Sequence, residues 1–338
     1  MNVDVYAFGS ALIDIQVHVK DSLLSEIGVE KGNMYLTERE RQEEIVTTLL
    51  GETSLELDQV RERLHTAAGG SAANTVFGVA HLGGQGGLCG KVAHDRFGTL
   101  YTELMKESKV VFSGRKSDGM TGTCIVLISD DAQRTMLTCL GVSSEITYDD
   151  IDEELLKSSK YVYIEGYLFD SEVATLTLMA AVETAKKNNV RIALTASDAF
   201  CIERHKDIFL KLIHNDVDLL FANAKEAQAL TGTTDTREAV QALAGMCTNI
   251  AVTDGAKGSI LSFNKELLRV EPFMVTALDT TGAGDSYAAG LLFGLANGYS
   301  VEASGKIASF YASRVVANIG PRYGGDIGTE IKSLRLEG

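Results

Sequence analysis

Short apolar runs rich in Val, Ile and Tyr recur along this chain and alternate with longer stretches of helical periodicity. The runs predict strands at residues 3–8, 86–92, 161–165, 191–195, 218–221 and 249–253. Helices are predicted at 71–82, 96–107, 172–188, 224–230 and 283–296, lengths that suit crossovers between parallel neighbours. The expected fold is therefore α/β, a mostly parallel sheet flanked by helices. Four short apolar segments, 15–20, 33–37, 123–129 and 134–140, fall outside the alternation. They predict a small antiparallel sheet serving as a lid or as a contact between subunits. The 338 residues hold two prolines and no Ser-rich or charged linker, so a single domain over 1–338 is expected.

Charge narrows the partners. With 31 Lys and Arg against 46 Asp and Glu, the formal charge of -15 opposes binding to nucleic acid or to an anionic membrane surface. The five cysteines are scattered without a C-x-x-C pair, which fits reduced thiols. No apolar stretch suits a signal peptide or a spanning helix, so the expectation is a soluble, cytoplasmic protein.

The strongest chemical signal is Leu278-Asp279-Thr280-Thr281-Gly282-Ala283-Gly284-Asp285-Ser286, followed by an apolar periodic run. Glycines opening a helix aim backbone N–H groups and the positive end of the helix dipole at one spot, an anion hole. Asp285, in the first turn, can accept a proton from a substrate hydroxyl while those amides hold a phosphoryl group, or it can simply cap the helix. Upstream, Thr253-Asp254-Gly255-Ala256-Lys257-Gly258 ends a strand. It reads equally as a loop where Thr253, Gly255 and Gly258 admit a nucleotide phosphate or as a hairpin turn.

Asn223 and Glu226 stand at a strand-to-helix passage, spaced as a capping box. The functional alternative is that Glu226 organises hydrated Mg²⁺, an ion that keeps its waters and needs few carboxylates. Gly69-Gly70-Ser71-Ala72-Ala73-Asn74 precedes a helix, and its paired glycines let a flat substrate lie against the backbone beside Ser71 and Asn74. The same residues also read as an ordinary capped helix start. Ser10 and Asp14 follow the first strand, where α/β sheets bind their ligands. The sequence contains neither G-x-x-x-x-G-K-[ST] nor G-x-G-x-x-G, and neither H-E-x-x-H nor G-x-S-x-G. Those absences argue against P-loop NTPases, dinucleotide-dependent oxidoreductases, zinc proteases and serine hydrolases.

Taken in order, these segments resemble the ribokinase-like, or PfkB, carbohydrate kinase family across nearly the whole chain. The stretch from Asp279 to Asp285 is similar to its C-terminal signature, and Gly69 to Asn74 through Gly98 to its N-terminal one. The resemblance implies a Rossmann-like α/β domain with a small β-sheet lid, here roughly 15–40 and 110–145, that moves the ATP γ-phosphoryl group to a CH₂OH. Gly9-Ser10-Ala11-Leu12-Ile13-Asp14, the Lys-free Gly69–Asn74 loop, Thr121-Gly122-Thr123-Cys124 and Tyr163-Ile164-Glu165-Gly166-Tyr167 resemble the adenosine kinase branch.

That branch implies Asp285 as the base and Gly282, Ala283 and Gly284 as the anion hole. It implies Asp14 on the ribose hydroxyls with Gly70 and Asn74, Ser71 near the base, and Arg134 reaching the phosphates. Leu36, Cys124, Met136 and Leu168 would line the base pocket. Asn223 and Glu226 would position Mg²⁺ through water, and Asp279 and Thr281 would bear on a K⁺ site. The implied acceptor is a nucleoside, with adenosine foremost. A ribose- or fructose-like sugar and inosine, guanosine or cytidine remain as alternatives, and the expected state is monomer or homodimer. Ser10 stands where animal adenosine kinases carry Asn, and Thr195-Ala196-Ser197-Asp198-Ala199-Phe200 departs from their Asn-Leu-Ser-Ala-Pro-Phe segment.

Overall fold

The structure, a computed structural model, describes residues 3–51, 64–131 and 133–334. Strand Val5–Phe8 lies inside a nine-stranded sheet, between Tyr161–Glu165 on one side and Gly86–Cys89 on the other. Beyond Tyr161–Glu165 the sheet continues in parallel through Arg191–Thr195, Leu219–Asn223 and Asn249–Thr253. Two antiparallel strands, Ser259–Phe263 and Glu266–Val270, close that edge.

Alternation along Val5–Phe8 shows how two helical layers are held. Successive strand residues point to opposite faces. Val5 and Ala7 pack with Val76, Val79 and Leu291, whereas Tyr6 and Phe8 pack with Leu178, Ala181 and Phe209. The first layer contains helices Ser71–His81, Ala283–Ala296 and Val301–Val316, and the second contains Glu172–Lys187 and Ala199–Asn215.

Ala283–Ala296 is apolar on nearly every face and correspondingly buried. Its glycines set how closely its neighbours approach. A Cβ at Gly290 would stand 2.5 Å from Ala308 Cα, and one on the facing helix at Gly78 would stand 2.5 Å from Ala289 Cβ. The sequence reading did not foresee Val301–Val316, because its Gly and Ser residues are weak helix formers. Those small side chains are what permits the close packing that stabilises it.

The outlying segments form a five-stranded sheet, in the order Met34–Leu36, Arg134–Cys139, Gly122–Ile128, Leu12–His18 and His65–Gly69. It is mixed rather than antiparallel as expected: Leu12–His18 runs parallel to Gly122–Ile128, and Met34–Leu36 parallel to Arg134–Cys139. The chain enters Leu12–His18 directly from Val5–Phe8 through Gly9, Ser10 and Ala11. Its fifth strand, His65–Gly69, was not predicted either, since residues of low strand propensity form it. Among the described residues, no helix is long and apolar enough to cross a membrane.

Candidate active site

Two helices start at one place. Gly70 precedes Ser71–His81 at φ 97°, and Gly282 precedes Ala283–Ala296 at φ 68°, conformations that a side chain disfavours. Because Gly78 lets these helices touch, their N-terminal turns converge. Ser71 Oγ donates to Asp285 Oδ1 at 2.7 Å, and Asn74 Nδ2 donates to Asp285 Oδ2 at 3.1 Å. The first-turn N–H groups of Gly284 and Asp285 have no acceptor within their own helix. A carboxylate so held can take a proton beside an anion-binding helix end. Burial raises the pKa of Asp285, opposed first by the Ser71 and Asn74 bonds and then by the charges of Arg134 and Arg322.

Asp14 points into the same cleft from Leu12–His18. Gly69 pairs across from Leu12, and a Cβ there would fall 2.1 Å from Asp14 Oδ1, so the absent side chain makes room for the carboxylate. Burial pushes the Asp14 pKa up to about 7 against the pull of Arg322 and Arg134, with the charge of Asp285 adding to the rise. Glu165 ties the cleft's floor together by accepting the N–H groups of Ser10 and Ala72, each at 2.9 Å. Its own pKa is also pushed up to about 7 by burial.

The wall facing Asp14 is built by the smaller sheet. Leu12, Met34, Leu36, Cys124, Val126 and Met136 line it, with Thr138 and Leu140 at its margin. At the other end the cleft is bounded by Asn223, Glu226, Thr253, Thr281 and the Gly282–Ala283–Gly284 turn. Asn223 and Glu226 form the capping box in full: the Asn223 side chain accepts the Glu226 N–H, and Glu226 Oε2 accepts the Asn223 N–H. Capping therefore coexists with a place at the cleft, and burial pushes the Glu226 pKa up to about 7. Glu226 can hold Mg²⁺ only through water, as that ion allows. Among the described residues, no three metal-ligating side chains cluster.

Of the residues singled out from the sequence, Ser10, Gly70, Ser71, Asn74, Arg134 and Asp285 meet at the cleft with those of both walls. Leu168 does not: it is buried in the core beneath, while its neighbour Tyr167 lines the cleft. Gly69 also lies off the cleft surface, supporting Asp14 as described. Ser71 spends its hydroxyl on Asp285 rather than on the acceptor end.

Gly255 and Gly258 belong to the hairpin joining Asn249–Thr253 to Ser259–Phe263, and neither lines the cleft. A Cβ at Gly258 would strike Val270 O at 2.2 Å, so the absent side chain lets the hairpin pack against that strand. Asp279 sits behind the cleft, accepting the N–H of Thr281 and of Gly320, each at 2.8 Å, and the Thr281 hydroxyl. Arg134 Nε stands 3.2 Å from its Oδ1. Oδ1 is thus engaged by several of the chain's own donors, while Oδ2 accepts from Gly320.

Sequence reasoning missed Glu165 and Arg322 as site residues. A glutamate ending an apolar strand at the ligand-binding edge was a usable signal for the first. Arg322 had none, since it reaches Asn74 from 248 positions away.

Three comparisons bear on this arrangement. Residues 44–326 match the pfkB family carbohydrate kinase model. The structure is similar to an adenosine kinase from Sinorhizobium meliloti, with a TM-score of 0.90 and 36% identity over 98% of this chain and 99% of that one. It is also similar to a probable sugar kinase from Rhizobium etli, with a TM-score of 0.91 and 31% identity over 99% of each chain. Among curated relatives, 5-dehydro-2-deoxygluconokinase of Clostridium perfringens is 24% identical over 74% of this chain and 78% of its own length. The shared framework thus serves different acceptors, and the chain belongs to the pfkB family of carbohydrate kinases, phosphotransferases that act on hydroxyl groups.

Proposed function

We propose that this kinase transfers the γ-phosphoryl group of ATP to the 5′-hydroxyl of a nucleoside, adenosine first among them. The observation that carries this reading is the apolar wall of Leu12, Met34, Leu36, Cys124, Val126 and Met136 set against the carboxylate of Asp14. A free sugar carries hydroxyls all around its ring and would leave some unpaired on that wall, at a cost in affinity. A nucleoside divides its chemistry as the cleft does, with a flat base for the wall and a ribose diol for Asp14.

In this reading Asp285 accepts the 5′-hydroxyl proton, and Ser71 and Asn74 fix which of its lone pairs faces the acceptor. The Gly284 and Asp285 N–H groups hold the transferring phosphoryl oxygens. Arg134 is placed to neutralise phosphate charge from the smaller sheet. Mg²⁺, when bound with the nucleotide, supplies further neutralisation, with Glu226 and Asn223 orienting its water shell. Segments 15–40 and 110–145 act as the cover over the acceptor within one kinase domain.

The test is ADP release by purified protein from ATP·Mg²⁺ with adenosine, inosine, guanosine, cytidine, ribose and fructose assayed separately. Adenosine is expected to give the highest kcat/KM. Turnover with a sugar alone would overturn the acceptor while leaving the phosphoryl-transfer machinery as described.

A further inference from the structure

Arg322 acts by charge on both Asp14 and Asp285 and bonds to the site at Asn74. Its Nε donates to Asn74 Oδ1 at 3.1 Å, and its guanidinium stacks 4.7 Å from the Phe77 ring centroid, one helical turn below Asn74. Its Nη2 is buried with no hydrogen-bond partner among the described residues.

Anchoring the chain does not require this arrangement. The segment around Arg322 is already tied by Gly320 N–H to Asp279 at 2.8 Å, and by His81 Nε2 to the Gly325 carbonyl at 2.9 Å. A buried guanidinium with an unpaired nitrogen is a cost to stability, so its retention calls for another account.

The account lies in the asymmetry of the Asn74 amide. One end of an amide accepts and the other donates, whereas a guanidinium only donates. Once Arg322 claims Oδ1, the Nδ2 hydrogens must face the other way, and there they meet Asp285 Oδ2 at 3.1 Å. The opposite flip would set two donors against each other and leave Asp285 with a repelling oxygen.

We propose that Arg322 is a positioning residue for phosphoryl transfer, holding the Asn74 amide in the one flip that fixes the Asp285 carboxylate. This rests on the reading of Asp285 as the base. The groups facing Asp285 are Ser71 and Asn74 as donors and Arg134 and Arg322 as positive charges; the acids Asp14, Glu165 and Glu226 act on it from the surrounding strands and helix. Arg322 itself also faces Asp14, Tyr101 and Tyr311.

The experiment compares Arg322→Met and Arg322→Lys, each alone and combined with Asn74→Ala. Steady-state kinetics are followed across pH, and thermal melts monitor folding. Arg322→Met is expected to lower kcat roughly 10- to 100-fold with the nucleotide KM unchanged, the usual scale for a misplaced catalytic group. The acid limb of kcat should move to higher pH, since loss of a positive neighbour disfavours the ionised base. Arg322→Lys restores the charge and thus the acid limb, but not the directed Nε bond, and its kcat stays lowered.

Over Asn74→Ala, neither Arg322 substitution should reduce kcat further on the pH plateau above the acid limb. Wild-type kcat in either single variant, or losses that multiply over Asn74→Ala, would overturn the proposal. If Arg322→Met does not fold, the Arg322→Lys pair carries the same cycle. Full activity in Asp285→Asn would instead sink the base assignment, a result read independently of Arg322.

Discussion

Ser71 and Asp285 lie 214 positions apart in the chain, yet the serine hydroxyl donates to the aspartate at 2.7 Å. The bond exists because two glycine-led helices begin side by side on the same layer. It links the N-terminal and C-terminal motifs into one chemical unit.

Asp285→Asn should lower kcat by about 10²- to 10⁴-fold, the range expected for loss of a general base. The amide is nearly the same shape and its oxygen can still accept from Ser71, but its NH2 then faces the Asn74 donor, so a modest fall in melting temperature with retained folding is expected. Steady-state ADP release and a thermal melt together check both parts.

Asp14→Asn should act on the acceptor rather than on the nucleotide. Losing a charged acceptor of hydroxyl hydrogen bonds costs roughly 1.5–3 kcal/mol, or about 10- to 150-fold in acceptor kcat/KM. The KM for ATP should stay within about 2-fold, a shift too small to signal a lost bond. Equal losses on both substrates would contradict the division of the cleft into two ends.

Gly78→Ala tests the convergence of the helices. The new methyl would sit 2.5 Å from Ala289 Cβ and 2.8 Å from Tyr311 Cε1, on backbone that cannot easily yield. Overpacking of this kind costs typically about 1–3 kcal/mol. It should also reduce kcat, because it parts Ser71 from Asp285 without touching either. Denaturant unfolding and kinetics on one preparation measure the two effects.

Stability should fall as pH rises toward neutrality. In the folded chain Asp14, Glu165 and Glu226 have pKa values pushed up to about 7 from ordinary values of 3.8 and 4.5. Between those limits the folded state holds more protons than the unfolded chain, so each group's burial is tolerated at the acid end and opposes folding above about pH 7. The melting temperature should decline between about pH 4 and about pH 7 and level off above, and Glu226→Gln should reduce the decline. An unchanged slope in that variant would count against its burial as the cause.

Much of the site was legible because its parts are local. Gly282 to Asp285 combine a turn, a helix start and a carboxylate within four residues, and Asn223 with Glu226 complete a capping box within four more. Arg322 was not legible, since its partner lies far along the chain, whereas Glu165 showed its place at a strand end but not the distant partners that define its role. Leu168 shows the reverse error. Its position beside Tyr167 in a short 3-10 turn decides that one residue faces the cleft and the other the core, and the spacing of apolar residues does not reveal which.

The same logic explains the fold. Strands flanked by strong helical periodicity were found to within a few residues, whereas the smaller sheet's strand directions depend on pairings between segments over 80 positions apart, such as Leu12–His18 with Gly122–Ile128. Local pattern carries the strand but not its neighbour.

At its first crossing the chain passes from the large sheet into the small one through Gly9, Ser10 and Ala11, and it crosses again after His65–Gly69, before Gly122–Ile128 and after Arg134–Cys139. The large sheet and its helices thus carry Asp285 and its glycine turn, and the small sheet carries the apolar wall. Substitutions at Leu36, Val126 or Met136 alter that wall while leaving Asp285 and its glycine turn untouched. For protein engineering this amounts to a modular chassis: the recognition panel can be redrawn repeatedly while the reaction it feeds is inherited intact.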